Sequence, residues 1–554
     1  SENEPFDVDA GSIQPLWITV YCPKGAAAGN YEGKIIITPA NAEEKIVPVS
    51  VRIFDFELPD APSLKTAFDL YPGRMRKGYP TQYQEEPAHY DKRISDLVEN
   101  CYDQMLKFKI SPVLNLDYPN PSFDARLEDF TKKGISAFAV GKYGGSDDNR
   151  WPKDLAGLET LVEYYRPIAQ RLKARGWMDK SYVYTYDEPS YGDENVSRVA
   201  AMIHKADAGL KNMVCLGEMQ DPRQYAEWVK DIDIFTIRNW GFDYDNVKYY
   251  HEMGKELWIY VSGPKPPFAN LALDFPSMSY RILPWMCWKY NVSGLLYWCV
   301  NFWEGDPWKD PMNTKWKQNG NGFLFYPGIG AVVPSLRLYV LRDGIEDYEY
   351  FKLLSSRIKD LKDNGLTAGN EDLVKEAEGL LNIDKSIVGS MAVYTQEAGL
   401  ILKRRQDIAE AVENLNKLLP ARITEDFSKP MEAADGKSFG TNSQFTFELY
   451  RGGTFIIDGT SGYAWQKSDS YRDSAIIRST DPLPKTYKIS AVVGEIDYDL
   501  SKIEKLPQDP EYTEGPQNEN GCYLLAITDE APIGHYTNDW WHQHRKVCID
   551  VDNN

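Results

Sequence analysis

The chain is poor in cysteine, histidine and positive charge, and it lacks long apolar runs. Its seven cysteines in 554 residues form no close pair such as Cys-x-x-Cys, which excludes a disulfide framework and an obvious zinc site. The net charge of −20 opposes binding to nucleic acid or to anionic membranes, because both need a basic face. No stretch reaches the roughly 18 uninterrupted apolar residues of a membrane-spanning helix. We therefore expect a soluble protein of several domains.

Signals for cofactors are also weak. The glycine-rich segments at 141–145 and 320–322 lack the strand-to-helix spacing of a phosphate-binding loop. Six histidines and scattered acidic pairs match neither zinc nor calcium spacing. The sequence therefore predicts no cofactor and no metal, and it leaves the oligomeric state open.

The two ends of the chain show the alternation of β-strands. Residues 1–60 contain three alternating runs, at 16–21, 33–38 and 46–53, with a turn expected at 30–33. They predict part of a β-sandwich whose first strands are missing. Residues 426–554 return to short strands separated by Gly, Asn and Pro, and predict a second β-sandwich, lectin-like or jelly-roll. Helical periodicity fills residues 335–425, which we interpret as a helical layer.

Residues 61–334 alternate between strand and helix patterns. Eight units of this kind over about 250 residues predict a TIM (β/α)8 barrel, with a doubly wound open sheet as the alternative. The chain as a whole is then multidomain, α/β plus all-β, with the barrel flanked by β-sandwich domains. The candidate strands are 64–71, 112–117, 136–142, 182–186, 213–218, 232–237, 257–262 and 294–301.

Two adjacent carboxylates end the fourth candidate strand. The aromatic run Ser181-Tyr182-Val183-Tyr184-Thr185-Tyr186 is followed directly by Asp187-Glu188. Catalytic groups of such barrels lie at the C-terminal ends of the strands, and a carboxylate pair is the usual means of cleaving a glycosidic bond. An Asp that caps a loop beside a solvated Glu is the alternative for an isolated pair.

Three segments resemble one family. They are YVYTYDEPS, NLALDFPSMSYRILPWMCWKYNVSGLLYWCVNFWEG and PSLRLYVLRDGIEDYEYFKLL, in that order along the chain. Together they are similar to glycoside hydrolase family 123 and its relatives, which include retaining β-N-acetylgalactosaminidases. The resemblance covers roughly residues 15–420 and implies substrate-assisted hydrolysis, in which the sugar's own 2-acetamido oxygen attacks the anomeric carbon. It also implies action outside the cytoplasm on a glycan or glycoconjugate.

The resemblance gives the two carboxylates separate roles. Asp187 would accept a hydrogen bond from the acetamido N–H and stabilise the positive charge that develops. Glu188 would protonate the leaving oxygen and later deprotonate water.

Aromatic and polar side chains at the later strand ends predict the sugar contacts, because a pyranose has apolar faces and a hydroxylated edge. For each aromatic residue, packing in the barrel core is the alternative. Tyr71, Arg74 and Asp117 at the first two strand ends are further candidates. The predicted substrate-binding residues are Asn239, Trp240, Tyr260, Asn270, Asp274, Trp298, Asn301 and Trp303.

The segment Arg342-Asp343-Gly344-Ile345-Glu346-Asp347 has a structural interpretation. Asp343 and Gly344 predict a turn and a helix start, with the acidic residues that follow favouring the first helical turn.

Two other functions stay open. One is a barrel glycosidase for another sugar that uses Glu188 as the acid and an unrecognised carboxylate as the nucleophile. The other is a protein that binds glycans through the aromatic strand ends and the terminal sandwich without cleaving them.

Overall fold

The computed structural model describes residues 5–419 except 83, 115, 117, 119, 121, 146–149 and 314–316, and seven short strands beyond residue 419. Residues 1–419 and 420–554 form two separate units. Among the described residues, no helix is long and apolar enough to cross a bilayer.

The first unit begins with an antiparallel hairpin of β1 (Gly29–Ile37) and β2 (Lys45–Ile53), in which Tyr31 lies opposite Val51. The turn predicted at 30–33 is wrong, because those residues lie within β1. The strand predicted at 16–21 is also wrong. A strand needs a neighbour for its backbone hydrogen bonds, and no described segment pairs with those residues. A complete β-sandwich in residues 1–60 stays a prediction.

A parallel sheet forms the centre of the unit. Its seven strands lie in the order β3-β9-β8-β7-β6-β5-β4. Parallel bridges from Phe68 to Pro112 and from Leu116 to Val140 occupy the place of the second predicted strand, between β3 and β4. The sheet is therefore a nearly closed α/β barrel, as predicted, rather than an open sheet. The strands are β3 (Lys65–Phe68), β4 (Phe138–Ala139), β5 (Ser181–Asp187), β6 (Asn212–Leu216), β7 (Ile234–Arg238), β8 (Glu256–Val261) and β9 (Gly294–Tyr297).

The barrel strands bury both faces. Side chains that point to the axis form a small inner core that includes Ala67, Tyr184, Trp258 and Leu296. Their sequence neighbours point outward into a larger core shared with the helices. Because both faces are apolar, the strands read as continuous hydrophobic runs. Four short strands follow the barrel: β10 (Met312–Asn313), β11 (Gln318–Asn319), β12 (Phe325–Pro327) and β13 (Val332–Pro334).

Helices surround the barrel, and several begin with a capping carboxylate. Asp154 accepts a hydrogen bond from the N–H of Gly157, and Asp193 accepts one from the N–H of Asn195. The helices around the barrel are α1 (Pro72–Gly78), α2 (Pro87–Lys107), α3 (Phe123–Lys132), α4 (Leu155–Ala174), α5 (Glu194–Ala206), α6 (Ala226–Val229), α7 (Val247–Glu252) and α8 (Met278–Lys289). The helical segment that follows contains α9 (Leu336–Asp363), α10 (Glu371–Leu381) and α11 (Ala398–Asn416).

The helix start predicted at Asp343 and Gly344 is wrong, because α9 begins at Leu336 and continues through both residues. Gly344 serves helix packing instead. A Cβ at this position would lie 2.4 Å from the carbonyl oxygen of Arg281 on α8. The glycine thus lets the two helices approach closely.

In the second unit the structure describes strands alone, in three small sheets with the orders β14-β16-β17, β15-β18 and β19-β20. They are β14 (Met431–Ala434), β15 (Phe445–Tyr450), β16 (Thr454–Asp458), β17 (Tyr463–Lys467), β18 (Ser474–Ser479), β19 (Leu524–Ile527) and β20 (Cys548–Val551). The second β-sandwich, predicted for residues 426–554, falls mostly outside the described residues.

Candidate active site

A cavity of about 400 Å³ opens at the C-terminal ends of the barrel strands. This is the end at which barrels of this kind hold their active sites, and the volume suits one small ligand. The lining residues are Asp69, Tyr71, Val113, Tyr143, Tyr184, Asp187, Glu188, Cys215, Arg238, Trp240, Tyr260, Ser262, Gly263, Leu296, Tyr297, Trp298, Gln318 and Asn321.

A β-bulge in β5 brings Asp187 into this cavity. Tyr184 pairs with Met213 and Tyr186 pairs with Val214, so Thr185 has no partner of its own on β6. Side chains alternate between the two faces of a strand, and one extra residue reverses that alternation. Tyr184 accordingly belongs to the inner core and Tyr186 to the outer one. Asp187 therefore points inward, where an unbroken strand would point it outward.

Two tyrosine hydroxyls hold the carboxylate of Asp187. Tyr184 donates to Oδ1 over 3.1 Å, and Tyr143 donates to Oδ2 over 3.3 Å. Burial raises the pKa of Asp187 above its ordinary value, while the hydrogen bond from Tyr184 lowers it. The charge of Glu188 raises this pKa again, and the bond from Tyr143 lowers it. Asp187 is thus fixed in orientation and retains lone pairs for a further donor.

The loop 141–145, which follows β4, positions Tyr143. The N–H of Gly144 donates to the carbonyl of Tyr184, and the N–H of Asp187 donates to the carbonyl of Gly145, each over 3.0 Å. A Cβ on Gly144 would lie 1.6 Å from the carbonyl oxygen of Thr185, so only glycine permits this approach. These glycines therefore dock the loop against the bulge of β5.

Glu188 adopts a left-handed backbone conformation, with φ of 54°. Such angles are uncommon outside glycine and are concentrated at functional sites. The N–H of Glu188 donates to the carbonyl of Cys215 over 2.9 Å, which fixes the turn. A sharp turn at this point lets two consecutive side chains reach one cavity.

Both described partners of the Glu188 carboxylate bind the same oxygen. Tyr260 donates to Oε1 over 2.6 Å, and Arg238 forms an ion pair with Oε1. Oε2 receives no contact from these two residues, and the side chain is 46% exposed. One oxygen is therefore anchored, and the other can meet a ligand.

Aromatic rings line the remaining wall. Trp240 lies near two cations, with the guanidinium of Arg238 4.8 Å and the ammonium of Lys265 4.2 Å from a ring centroid. Trp298 has a neutral partner instead, because its indole N–H donates to Oδ1 of Asn321 over 3.0 Å. The cavity therefore combines flat apolar surfaces with fixed polar groups, as sugar binding requires.

The structure brings half of the predicted site residues together at the cavity: Asp187, Glu188, Trp240, Tyr260 and Trp298. Of the weaker candidates, Tyr71 also lines it. Arg74 stacks 3.7 Å from the ring centroid of Phe302, and Asp117 lies outside the described residues.

The other five predicted residues lie outside the cavity lining, and two of them support residues that line it. Asn301 bonds through its side chain to both the N–H and the carbonyl of Tyr71, and Asn270 donates to the carbonyl of Ser262. The remaining three bind backbone or side-chain groups elsewhere: Asn239 to Ala269, Asp274 to Asn319, and Trp303 to Phe325.

Several cavity residues escaped the sequence analysis, above all Asp69, Tyr143 and Arg238. Arg238 and Asp69 each follow an inward-pointing residue by two positions, namely Thr236 and Ala67, so strand alternation would have found both. Tyr143 gave no such signal, because the loop 141–145 positions it through contacts with a different strand.

Asp69 is a third carboxyl in the cavity. It follows the last residue of β3 and is partly exposed toward the cavity. Removal of the carboxyl from bulk water raises its pKa from 3.8 to about 8, against a smaller opposing effect of the N–H of Leu70. Asp69 is therefore largely uncharged near neutral pH.

No group of three or more His, Cys, Asp or Glu side chains within the described parts of the chain is arranged to hold a metal ion.

Comparison with known proteins agrees with this architecture. Residues 152–354 match the family model described as glycoside hydrolase 123, catalytic domain. The chain thus resembles glycoside hydrolase family 123, as its motifs predict, and the match supports a glycosidase. A comparison with curated proteins finds no match.

The solved structures that are similar to the chain include two glycoside hydrolases. A family 123 glycoside hydrolase from Clostridium perfringens, described in terms of glycolipid glycan hydrolysis, shares 14% identity with a TM-score of 0.50, over 71% of this chain and 77% of that one. A β-D-glucuronidase from Dictyoglomus thermophilum shares 12% identity with a TM-score of 0.31, over 57% of each chain. At such identities the first likeness shows a common fold.

Proposed function

We propose that the chain is a retaining exo-glycosidase that removes a terminal β-linked 2-acetamido sugar, with N-acetylgalactosamine as the preferred one. The observation that carries this proposal is the pair of adjacent carboxylates, each held by its own donors at one cavity. Asp187 is oriented by Tyr184 and Tyr143, and Glu188 is anchored through Oε1 by Tyr260 and Arg238.

In the first step, Asp187 accepts a hydrogen bond from the acetamido N–H and orients the acetamido oxygen toward the anomeric carbon. That oxygen forms a bond to the anomeric carbon while the glycosidic C–O bond breaks. Glu188 gives a proton to the leaving oxygen. Positive charge spreads over the new ring, and the Asp187 carboxylate stabilises it.

In the second step, Glu188 takes a proton from water. The resulting oxygen nucleophile attacks the anomeric carbon, the bond to the acetamido oxygen breaks, and the sugar leaves with its original configuration. Because the sugar supplies the nucleophile, distance rules for paired enzyme carboxylates do not apply.

The resemblance to family 123 supports a glycan or glycoconjugate as substrate and an extracytoplasmic place of action. The net charge of −20 supports neither nucleic acid nor an anionic membrane as a partner.

The test compares release of p-nitrophenol from the β-linked N-acetylgalactosamine, N-acetylglucosamine and galactose derivatives. Wild type, Asp187→Asn and Glu188→Gln are assayed beside a control, Glu218→Gln. Glu218 is exposed, lies two residues after β6 and is outside the cavity lining. We expect cleavage of an acetamido sugar alone, at least about 100-fold loss in the two cavity variants, and little change in the control. Activity that survives in both cavity variants contradicts the site.

A glycosidase for another sugar, with an enzyme nucleophile, is a second candidate because Asp69 lines the cavity with Asp187 and Glu188. A nucleophilic carboxyl must be ionised, and the pKa of about 8 for Asp69 disfavours that at neutral pH. Mass spectrometry after treatment with a 2-deoxy-2-fluoro glycoside distinguishes the two mechanisms. A covalent glycosyl adduct on Asp69 would establish the second. Sugar binding without cleavage of any glycoside would instead indicate a glycan-binding protein.

A further inference from the structure

The end of the last barrel strand, β9, and the residues after it hold the backbone of Asp69. Its N–H donates to the carbonyl of Tyr297 over 3.1 Å, and its carbonyl accepts from the N–H of Val300 over 2.8 Å. These bonds fix the backbone on both sides, so the side chain has a defined direction. Ala67, two residues earlier, points into the inner core, and Asp69 shares that direction toward the cavity.

The carboxyl of Asp69 has no side-chain hydrogen-bond partner among the described residues, unlike both Asp187 and Glu188. The described group that favours its charged form is the backbone N–H of Leu70. A carboxyl that lines a cavity without a side-chain partner is free to bind a polar group of a ligand.

The chemistry of Asp69 suits a sugar hydroxyl. An uncharged carboxyl donates one hydrogen bond and accepts others, and a hydroxyl does the same. The rings of Tyr71 and Trp298 lie next to it along the cavity wall, 6.5 Å apart and edge to face. A pyranose needs this combination, a carboxyl for its edge and aromatic carbon for its face.

The barrel order places Asp69 away from the acetamido group. Asp69 follows β3 and Asp187 ends β5, with β4 and the residues around Pro112 and Leu116 between them. If Asp187 holds the substituent at C2, a side chain at β3 meets the far edge of the ring, which carries the hydroxyls at C4 and C6.

We propose that Asp69 hydrogen-bonds the C4 or C6 hydroxyl of the sugar in the cavity and so determines which hydroxyl pattern the enzyme accepts. This inference rests on the proposed function for the placement of C2. Asp69 lies outside the residues matched by the family model, which begin at 152.

The test is a double-mutant cycle between protein and substrate. kcat/KM is measured for the p-nitrophenyl acetamido glycoside and its 4-deoxy and 6-deoxy forms with wild type, Asp69→Ala and Asp69→Asn. We expect wild type to lose at least about 100-fold on one deoxy form, since a site built to bind a hydroxyl rejects its absence strongly. Asp69→Ala should lose a similar factor on the parent glycoside and nothing further on that deoxy form. Asp69→Asn, which still donates and accepts, should recover part of the loss.

A matched control and a binding measurement complete the test. Asp91→Asn on α2, an exposed carboxyl paired with Arg76, should behave as wild type. Calorimetric binding of the free acetamido sugar and its deoxy forms is measured in Glu188→Gln with and without Asp69→Ala, beside the thermal stability of every variant.

The outcomes separate the two proposals. Equal losses on the parent and both deoxy glycosides, or a loss accompanied by lower thermal stability, would show a structural role and overturn the inference while the proposed function stands. Sugar binding that depends on Asp69 and on one hydroxyl, in a protein that cleaves no glycoside, would uphold the inference and overturn the proposed function. Absence of both binding and cleavage overturns both.

Discussion

The hydroxyl of Tyr260 donates to Oε1 of Glu188 over 2.6 Å, the same oxygen to which Arg238 binds. Tyr260 lies on β8 and Arg238 ends β7, where the two residues pair in register. Two neighbouring strands therefore hold one oxygen of the proposed acid and leave the other toward the cavity.

Removal of the Arg238 guanidinium should leave the carboxyl of Glu188 less well positioned. We expect Arg238→Met to lower kcat/KM by about 100-fold, at the lower end of what positioned acid–base catalysis contributes. Tyr260→Phe should cost about tenfold, as expected for one hydrogen bond to a charged group. Arg223→Met is the matched control, because Arg223 forms an ion pair with Asp221 outside the cavity lining. A loss in Arg223→Met as large as in Arg238→Met would contradict this role.

The hydroxyl of Tyr143 should set the acid side of the pH profile. The hydrogen bond from Tyr143 lowers the pKa of Asp187, which must be ionised to accept the acetamido N–H. In Tyr143→Phe that pKa rises, so the acid limb of kcat/KM against pH moves to higher pH. The loss should reach about tenfold at the acid side and shrink as pH rises. Tyr191→Phe, which removes a hydroxyl bonded to Tyr250, should leave the limb in place.

Asp69 should make stability depend on pH. Its folded-state pKa of about 8 lies above the ordinary 3.8, so between these values the folded state keeps a proton that the unfolded state has lost. Because the unfolded chain ionises here and the native protein does not, the free energy of unfolding falls as the pH rises from about 4 to about 8. Asp69→Asn lacks the effect, and its melting temperature should exceed that of wild type by a few degrees at pH 8 but not at pH 4. A gap that is constant with pH would contradict the raised pKa.

Gly144→Ala should disturb the bulge in β5. The new Cβ would overlap the carbonyl oxygen of Thr185, so the loop 141–145 must move and take Tyr143 with it. We expect destabilisation by about 1–3 kcal/mol in chemical unfolding and a loss of at least about tenfold in kcat/KM. Gly379→Ala on α10 has open space around its Cβ and should instead stabilise by about 0.5–1 kcal/mol. Unchanged activity in Gly144→Ala would separate this loop from the site.

Asp347 should contribute strongly to the stability of the helical segment. Its side chain is 1% exposed and accepts bonds from Arg281, Arg405 and the indole of Trp285. Asp347→Ala removes the carboxylate partner of Arg281 and leaves Arg405 with the more distant Glu346, and we expect a loss of about 3–5 kcal/mol in unfolding free energy. The exposed Asp363, paired with Lys359, provides the control Asp363→Ala, for which a loss below about 1 kcal/mol is expected. Similar losses in both would contradict the central role of Asp347.

The barrel and the carboxylate pair could be predicted from the sequence because they follow from local patterns. Each strand is a short apolar run, and Asp187-Glu188 stands where such a run ends. The bulge at Thr185 could not be predicted, since both faces of β5 are apolar and either alternation fits the sequence equally well. It depends on where β6 and the loop 141–145 form their hydrogen bonds.

Gly344 shows a second limit of sequence reasoning. Asp343 and Gly344 in a charged segment predict a turn and a helix start when local preferences alone are considered. Here the close approach of α8 outweighs those preferences, and the contact joins residues far apart in the chain. Asp69 differs from both cases, because alternation from Ala67 would have revealed it.

The left-handed backbone at Glu188 bears on how a bound substrate could be captured for crystallography. At a φ of 54°, most side chains raise the conformational energy, whereas glycine and asparagine adopt the angle readily. Glu188→Gln would remove the proton donor but keep the strained turn. Glu188→Asn would remove the proton donor and also lower the conformational energy of the backbone. The asparagine variant is therefore the better choice for a crystal structure with an uncleaved glycan. We expect it to be more stable than the active protein, in which the glutamate at this position raises the conformational energy of the backbone.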